Sequence, residues 1–217
     1  MTLYQRRLTT KIALAFGVLL LMISIMLGTG ASLAWFTDET LPVKNVFYFS
    51  GFDLDVEYKN DVVTEYTPLE MYTAVFDDEA LYEPGYTQVV YLKIINNSEI
   101  DMKYKLSADL RSVITAKNVN GEDIYLPDHI RYGVIFGADE AQLDRELAQE
   151  NAPRELAELE LNAFSAWDDV VVAPAGVRYA AIIVYMPEEV ENEANTRDDH
   201  LPRAELGITV YAQQITE

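Results

Sequence analysis

The chain has 217 residues, 50% hydrophobic and 24% charged, with 16 basic against 36 acidic side chains and a formal net charge of −20. This is globular composition, long enough for one ordinary domain plus a leader. Arg6, Arg7 and Lys11 are the only charged residues before Asp38, so from Trp35 onward the remaining 13 basic side chains stand against 36 acidic ones and leave −23; such a surface repels phosphate backbones and excludes nucleic acid as a partner, and the absence of cysteine excludes disulfide frameworks, thiolate zinc sites and cysteine nucleophiles.

Arg6, Arg7 and Lys11 precede an uncharged run from Ile12 to Leu27, followed by Gly28-Thr29-Gly30 and then Ala31-Ser32-Leu33-Ala34. A basic start, an apolar centre and a small-x-small ending form the pattern of a secretory signal peptide. Ser32 and Ala34 stand three and one residues before the expected cut, and Trp35 becomes the first residue of the mature chain. The expected organisation is a signal helix over 1–34 and one domain over 35–217. The alternative is a retained anchor, since Ile12 to Phe36 would span about 37 Å as a helix against a hydrocarbon core of about 30 Å. Both readings place the body outside the cytoplasm, with the membrane reached only through an uncleaved leader.

After the cut, Trp35 and Phe36 make an apolar start, and Pro42 prevents an uninterrupted central strand there. Val43 to Tyr58 reads as β, with Phe52, Leu54, Val56 and Tyr58 alternating against Asp53, Asp55 and Glu57. A further strand is expected over Met71 to Phe76. Glu83-Pro84-Gly85-Tyr86 is a turn, because proline presets one backbone angle and glycine supplies a positive one. It launches a strand over Gln88 to Ile95; a polar turn at Asn96 to Glu99 and an alternating strand over Met102 to Ala108 follow. Asn120-Gly121 is the strongest short turn signal, and Ile130, Tyr132, Val134 and Phe136 alternate beyond it.

From Asp139 to Leu161 the period changes, predicting two short helices or one broken helix at about 138–162, with Pro153 in a first turn where its missing N–H costs nothing. This insertion is expected to cover one end or edge of a sheet. Tyr179 to Tyr185 is apolar on both faces and therefore central. Glu188 to Leu201 is a polar loop, and the last strand alternates Leu206, Ile208, Val210 and Ala212 against Gly207, Thr209, Tyr211 and Gln213. Short strands between turn signals, interrupted once by helix, predict an all-β fold, an antiparallel β-sandwich with a short helical insertion.

The junction G-T-G-A-S-L-A-W-F-T-D-E, the run G-F-D-L-D-V, the E-P-G-Y turn leading to K-I-I-N-N-S-E-I-D-M-K-Y, and Y-M-P-E-E-V-E-N-E-A-N before a strand ending A-Q-Q together resemble the TasA/camelysin family of secreted Gram-positive proteins. Glu191 departs from the pattern, where glycine is usual before Asn-Glu, and Lys117 to Trp167 has no counterpart. The resemblance implies a leader removed by a dedicated signal peptidase, a jelly-roll-like sandwich, and a surface or biofilm-matrix protein. For the better understood members it also implies a fibre subunit whose freed N-terminal strand adds to its neighbour. In this chain the donor candidates are Trp35, Phe36, Val43, Phe47 and Phe49, which would fill pockets with alternate side chains. By the residues alone the favoured reading is that this segment folds back as the first strand of its own sheet, because adjacent elements usually pair within one domain. Expected partners are further copies or other matrix and cell-surface proteins.

Some family members are labelled metallo-endopeptidases, so an extracellular peptidase is the competing reading. Zinc hydrolysis needs clustered ligands such as H-E-x-x-H, whereas this chain has only His129 and His200, neither in such a motif. There is no G-x-S-x-G elbow, G-x-G-x-x-G or P-loop, and no cofactor is expected. A third reading is a monomeric calcium or wall-binding module. Its metal candidates are Glu188, Glu189, Glu191, Glu193, Asp198 and Asp199, crowded in one loop whose backbone could wrap an ion. Asp53, Asp55 and Glu57, and Asp77, Asp78 and Glu79, form smaller acidic groups; a solvated acidic surface is the favoured reading of all three, because no EF-hand spacing or other tight ligand pattern appears. Most of the fourteen tyrosines and two tryptophans fall in alternating core positions, which favours packing over a carbohydrate platform.

Overall fold

In a computed structural model of the chain, residues 46–48, 53–77, 83–118, 120–190 and 201–215 are described. Their elements are β1 (Val46–Tyr48), β2 (Leu54–Lys59), β3 (Thr67–Pro68), β4 (Thr87–Asn96), β5 (Met102–Ile114), β6 (Ala116–Lys117), β7 (Asp123–Ile124), α1 (Leu126–His129), β8 (Arg131–Gly137), α2 (Glu140–Leu147), α3 (Ala152–Leu156), β9 (Leu159–Glu160), β10 (Val177–Tyr185) and β11 (Arg203–Gln214). One sheet has six strands in the order β3-β2-β4-β10-β8-β9 and another has three, β1-β11-β5; β6 and β7 form a small ribbon. Every strand pair is antiparallel except β1 with β11. The fold is all-β.

Alternation along the strands turns an apolar face of each sheet toward the other. Leu54, Val56 and Tyr58 of β2, Val90, Leu92 and Ile94 of β4, and Ala180, Ile182 and Val184 of β10 form one buried cluster with Met102, Tyr104, Leu106 and Ala108 of β5 and Leu206, Ile208 and Val210 of β11. The two sheets thus share a single core in the manner of a sandwich.

Tyr179 to Tyr185 is central as expected, lying between β4 and β8. Its second apolar face, Ala181, Ile183 and Tyr185, is covered by Leu143, Leu147, Leu156 and Ala157. These come from the helical insertion. Asp139 caps α2 by accepting from Gln142 N–H at 2.8 Å, and Pro153 lies in the first turn of α3. The insertion lies on the outer face of the six-stranded sheet rather than at its end, because an apolar stripe on β10 has to be buried there; only β9 extends the edge, beside β8.

The expected turn at Glu83 to Tyr86 is present, with Gly85 at φ +85° and Tyr86 N–H donating to Glu83 O at 2.8 Å. Gly121 has φ +84° in the turn between β6 and β7. The strand expected over Met71 to Phe76 does not form. Met71 and Tyr72 are exposed, only Val75 is fully buried, and the pairing partner of β2 is Thr67–Pro68 instead. Leu69 N–H then donates to Val56 O at 2.8 Å, one position beyond that pairing. The polar turn after β4 carries the chain from one sheet to the other. Asn96, itself buried, steadies that crossing by donating to Ile100 O and Val172 O at 2.8 and 2.9 Å.

The core tyrosines make stability depend on pH. Tyr104 is held well above the ordinary tyrosine range by desolvation and then by the Asp168 carboxylate, and Tyr132 is raised by desolvation and then by Asp109. An unfolded chain loses these protons near pH 10 and the folded chain keeps them. Stability is therefore full below about pH 10 and declines above it, by about 1.4 kcal/mol per pH unit for each such tyrosine. Urea unfolding at a series of alkaline pH values should show that decline, with part of the tyrosinate absorbance appearing only on unfolding. A flat profile would contradict it.

Candidate functional site

The three-stranded sheet carries the features that the core does not explain. Its central strand, β11, pairs with β5 over its whole length on one side and with β1 on the other over three positions, Val46 with Thr209, Phe47 with Val210 and Tyr48 with Tyr211. β1 is parallel to β11 and the next strand, β2, belongs to the other sheet. Three residues of parallel pairing at an edge is a short attachment, since parallel ladders are slightly weaker per residue than antiparallel ones.

The other edge belongs to β5 and is occupied by residues 162–172, an irregular strap joining β9 to β10. Strap N–H groups of Asn162, Ser165, Asp168 and Val172 donate to the carbonyls of Ala108, Leu106, Tyr104 and Met102, at 3.0, 3.2, 3.0 and 2.8 Å. The acceptors are two residues apart, as in any strand, but the donors are three or four apart. The strap therefore loops outward between contacts, and Phe164, Val170 and Val171 are 43%, 47% and 41% exposed.

Two side-chain groups pin the strap. On the outer face of the sheet, Lys105 Nζ lies 4.2 Å from the ring centroid of Phe164, 5.2 Å from Trp167 and 5.1 Å from Tyr211, with Trp167 and Tyr211 packed edge to face at 5.3 Å. Each such contact is attractive because an aromatic face is negative. At the inner end, the Asp168 carboxylate takes two bonds from Arg178 of β10, at 3.1 and 3.2 Å, and one from Val170 N–H at 3.1 Å. The side chains of Arg178 and Asp168 are 12% and 4% exposed. Beside Lys105, the outer face also holds a polar network. Asp109 accepts from Ser107, Thr209 and Arg111, and Arg111 also donates to Thr209 at 3.1 Å.

Of the expected site residues, Phe47 lies in β1, at the register position opposite Val210. Trp35, Phe36, Val43 and Phe49 lie outside the described residues, as do the cleavage residues Ser32 and Ala34 and the leader itself. In the acidic loop, Glu188 and Glu189 fall in a short turn and separate: Glu188 lies beside Gly85, while Glu189 pairs with Arg154 of α3. Glu191, Glu193, Asp198, Asp199 and His200 are outside the described residues. His129 is half-buried in the last turn of α1. Among the strand carboxylates, Asp55 accepts from Asn97 and Glu57 pairs with Lys93 at 2.7 Å. No group of three or more potential metal ligands occurs among the described residues. A shallow pocket lined by Asn60, Asp61, Val75, Asp77, Tyr86 and Gln88 lies by β2 and β4, with the Asn60 side chain already bonded to Val63 N–H and Val75 O.

Sequence reasoning missed the strap and its two pins. The signal was present only as the three-residue spacing of Asn162, Ser165 and Asp168, which does not match the two-residue period of a strand. Compared with known proteins, the chain matches no family model and no curated protein.

Proposed function

We propose that this chain is a secreted, non-enzymatic protein of the TasA/camelysin type with a jelly-roll-like sandwich. It serves as a surface or extracellular-matrix subunit and associates with other copies by exchanging its first strand. The observation that carries the reading is the β1–β11 pair. Its three positions are held by a few main-chain hydrogen bonds, each contributing about 0.5–1.5 kcal/mol net. The same bonds form equally well when β1 of one copy pairs with β11 of another, so exchange costs little beyond bringing the copies together. A heterologous exchange of this kind extends into a fibre unless the rotation between copies closes a ring. The resemblance at the leader junction and along the strands supports the same reading, and so does a net charge of −23 in the exported body, which keeps isolated copies soluble.

The test is N-terminal sequencing of the exported form together with electron microscopy of the same concentrated sample. A start at Trp35 with filaments is the expected result. Globular particles at every concentration, or a mature protein retained inside the cell with residues 1–34 intact, would overturn it.

A further inference from the structure

We infer that the strap 162–172 is a displaceable guard over the β5 edge, and that the edge beneath it accepts an extended segment of a second copy of this chain. The inference rests on the self-association of the proposed function and names a second surface for it. Its basis is a half-made ladder. In a strand the N–H and C=O of one residue point the same way, so Met102, Tyr104, Leu106, Ala108 and Leu110 all present both groups to the strap. The strap donates to the carbonyls of the first four. Among the described hydrogen bonds it answers β5 amides only at its ends, where Val172 O accepts from Met102 N–H at 3.1 Å and Asn162 Oδ1 accepts from Leu110 N–H at 3.0 Å.

A true strand laid along the same edge would serve donors and acceptors alike, with two-residue spacing on both sides. Replacing the strap by a strand therefore gains ladder bonds at Tyr104, Leu106 and Ala108. It also frees Phe164, Val170 and Val171, already exposed, to pack elsewhere. Charge identifies the occupant. Lys103 and Lys105 lie on the outer face of β5, and neither forms an ion pair among the described residues. A basic stripe beside a strand edge, in a body of net −23, is complementary to another copy of that body. The Lys105 cage and the Asp168–Arg178 pair are the latch that keeps single copies from pairing at this edge.

Hydrogen exchange of the exported protein, before and after assembly, tests this at single amides. In the monomer the amides of Lys103, Lys105 and Ser107, which face β11, should be protected and those of Tyr104, Leu106 and Ala108 should exchange much faster. In assemblies the second set should become protected. Phe164→Ala, which opens the cage and keeps the Lys105 charge, should speed exchange at Ser165 and Asp168 by about tenfold and hasten assembly, while unfolding stays cooperative. Filaments in which Tyr104, Leu106 and Ala108 stay unprotected would overturn this inference and leave the proposed function standing. Absence of any assembly would overturn both. A loosened strap with unchanged assembly kinetics would also overturn the guard.

Discussion

Replacing Gly133 with alanine is expected to destabilise the folded chain by about 3 kcal/mol, lowering its melting temperature by roughly 6–12 °C. Gly133 sits in β8 on the face covered by the helical insertion. A Cβ built there would lie 1.9 Å from Leu156 O, 2.6 Å from Leu156 C and 3.1 Å from Ala157 N. All three are backbone atoms at the end of α3, so no side-chain rotation relieves the clash. The helix end has to move away from the sheet, and that movement opens the packing of Leu147 and Leu156 against Ile183 and Tyr185. Thermal and urea unfolding of Gly133→Ala followed by circular dichroism provide the measurement. A loss below about 1 kcal/mol would mean that the insertion rides on the sheet loosely, contrary to so close an approach of backbone to strand.

Breaking the Asp168–Arg178 pair is expected to have an effect of similar or larger size. Either Asp168→Asn or Arg178→Met leaves one charge in a place with little access to water, and such single removals cost about 3–5 kcal/mol. The double replacement should recover much of that loss, because a neutral pair strands no charge. The Tyr104 hydroxyl adds a second reason. It is fully buried and lies in the field of both charges. Removing one of them exposes it to an uncompensated field from the other. A double-mutant cycle in urea is the decisive measurement, and additive single effects would show that the two side chains do not work as a pair. Asp168→Asn should also free the strap near Val170, whose N–H it holds, making proteolysis within 162–172 faster than in the parent protein.

The strands with the strictest period are legible in the amino-acid sequence. β4, β5, β8 and β11 each combine alternation with β-branched or aromatic residues, and β10 declares itself central by being apolar on both faces. The turns at Gly85 and Gly121 are legible for a different reason, since a positive φ favours glycine and the residue announces the geometry. Met71 to Phe76 misleads because a few apolar residues in a row carry no information about which of them a partner will bury. Val75 is covered and its neighbours are not. The candidate site is the least legible part. Nothing in V-F-Y distinguishes a strand that pairs with β2 from one that pairs with β11, and nothing in N-A-F-S-A-W-D distinguishes a loop in solvent from a strap along an edge.

Composition and period by themselves determined that this is an acidic all-β chain without cysteine, and which residues of its longer strands face inward, because burial on one side of a pleat leaves a mark at every second position. Only the tertiary structure decided that the helical insertion covers a face, that β1 runs parallel to the last strand, and that Lys105, Asp168 and Arg178 hold residues 162–172 along β5. Those outcomes depend on contacts between residues dozens of positions apart, made by hydrogen bonds and charges whose energy is decided by what lies opposite them and not by what lies next to them in the chain.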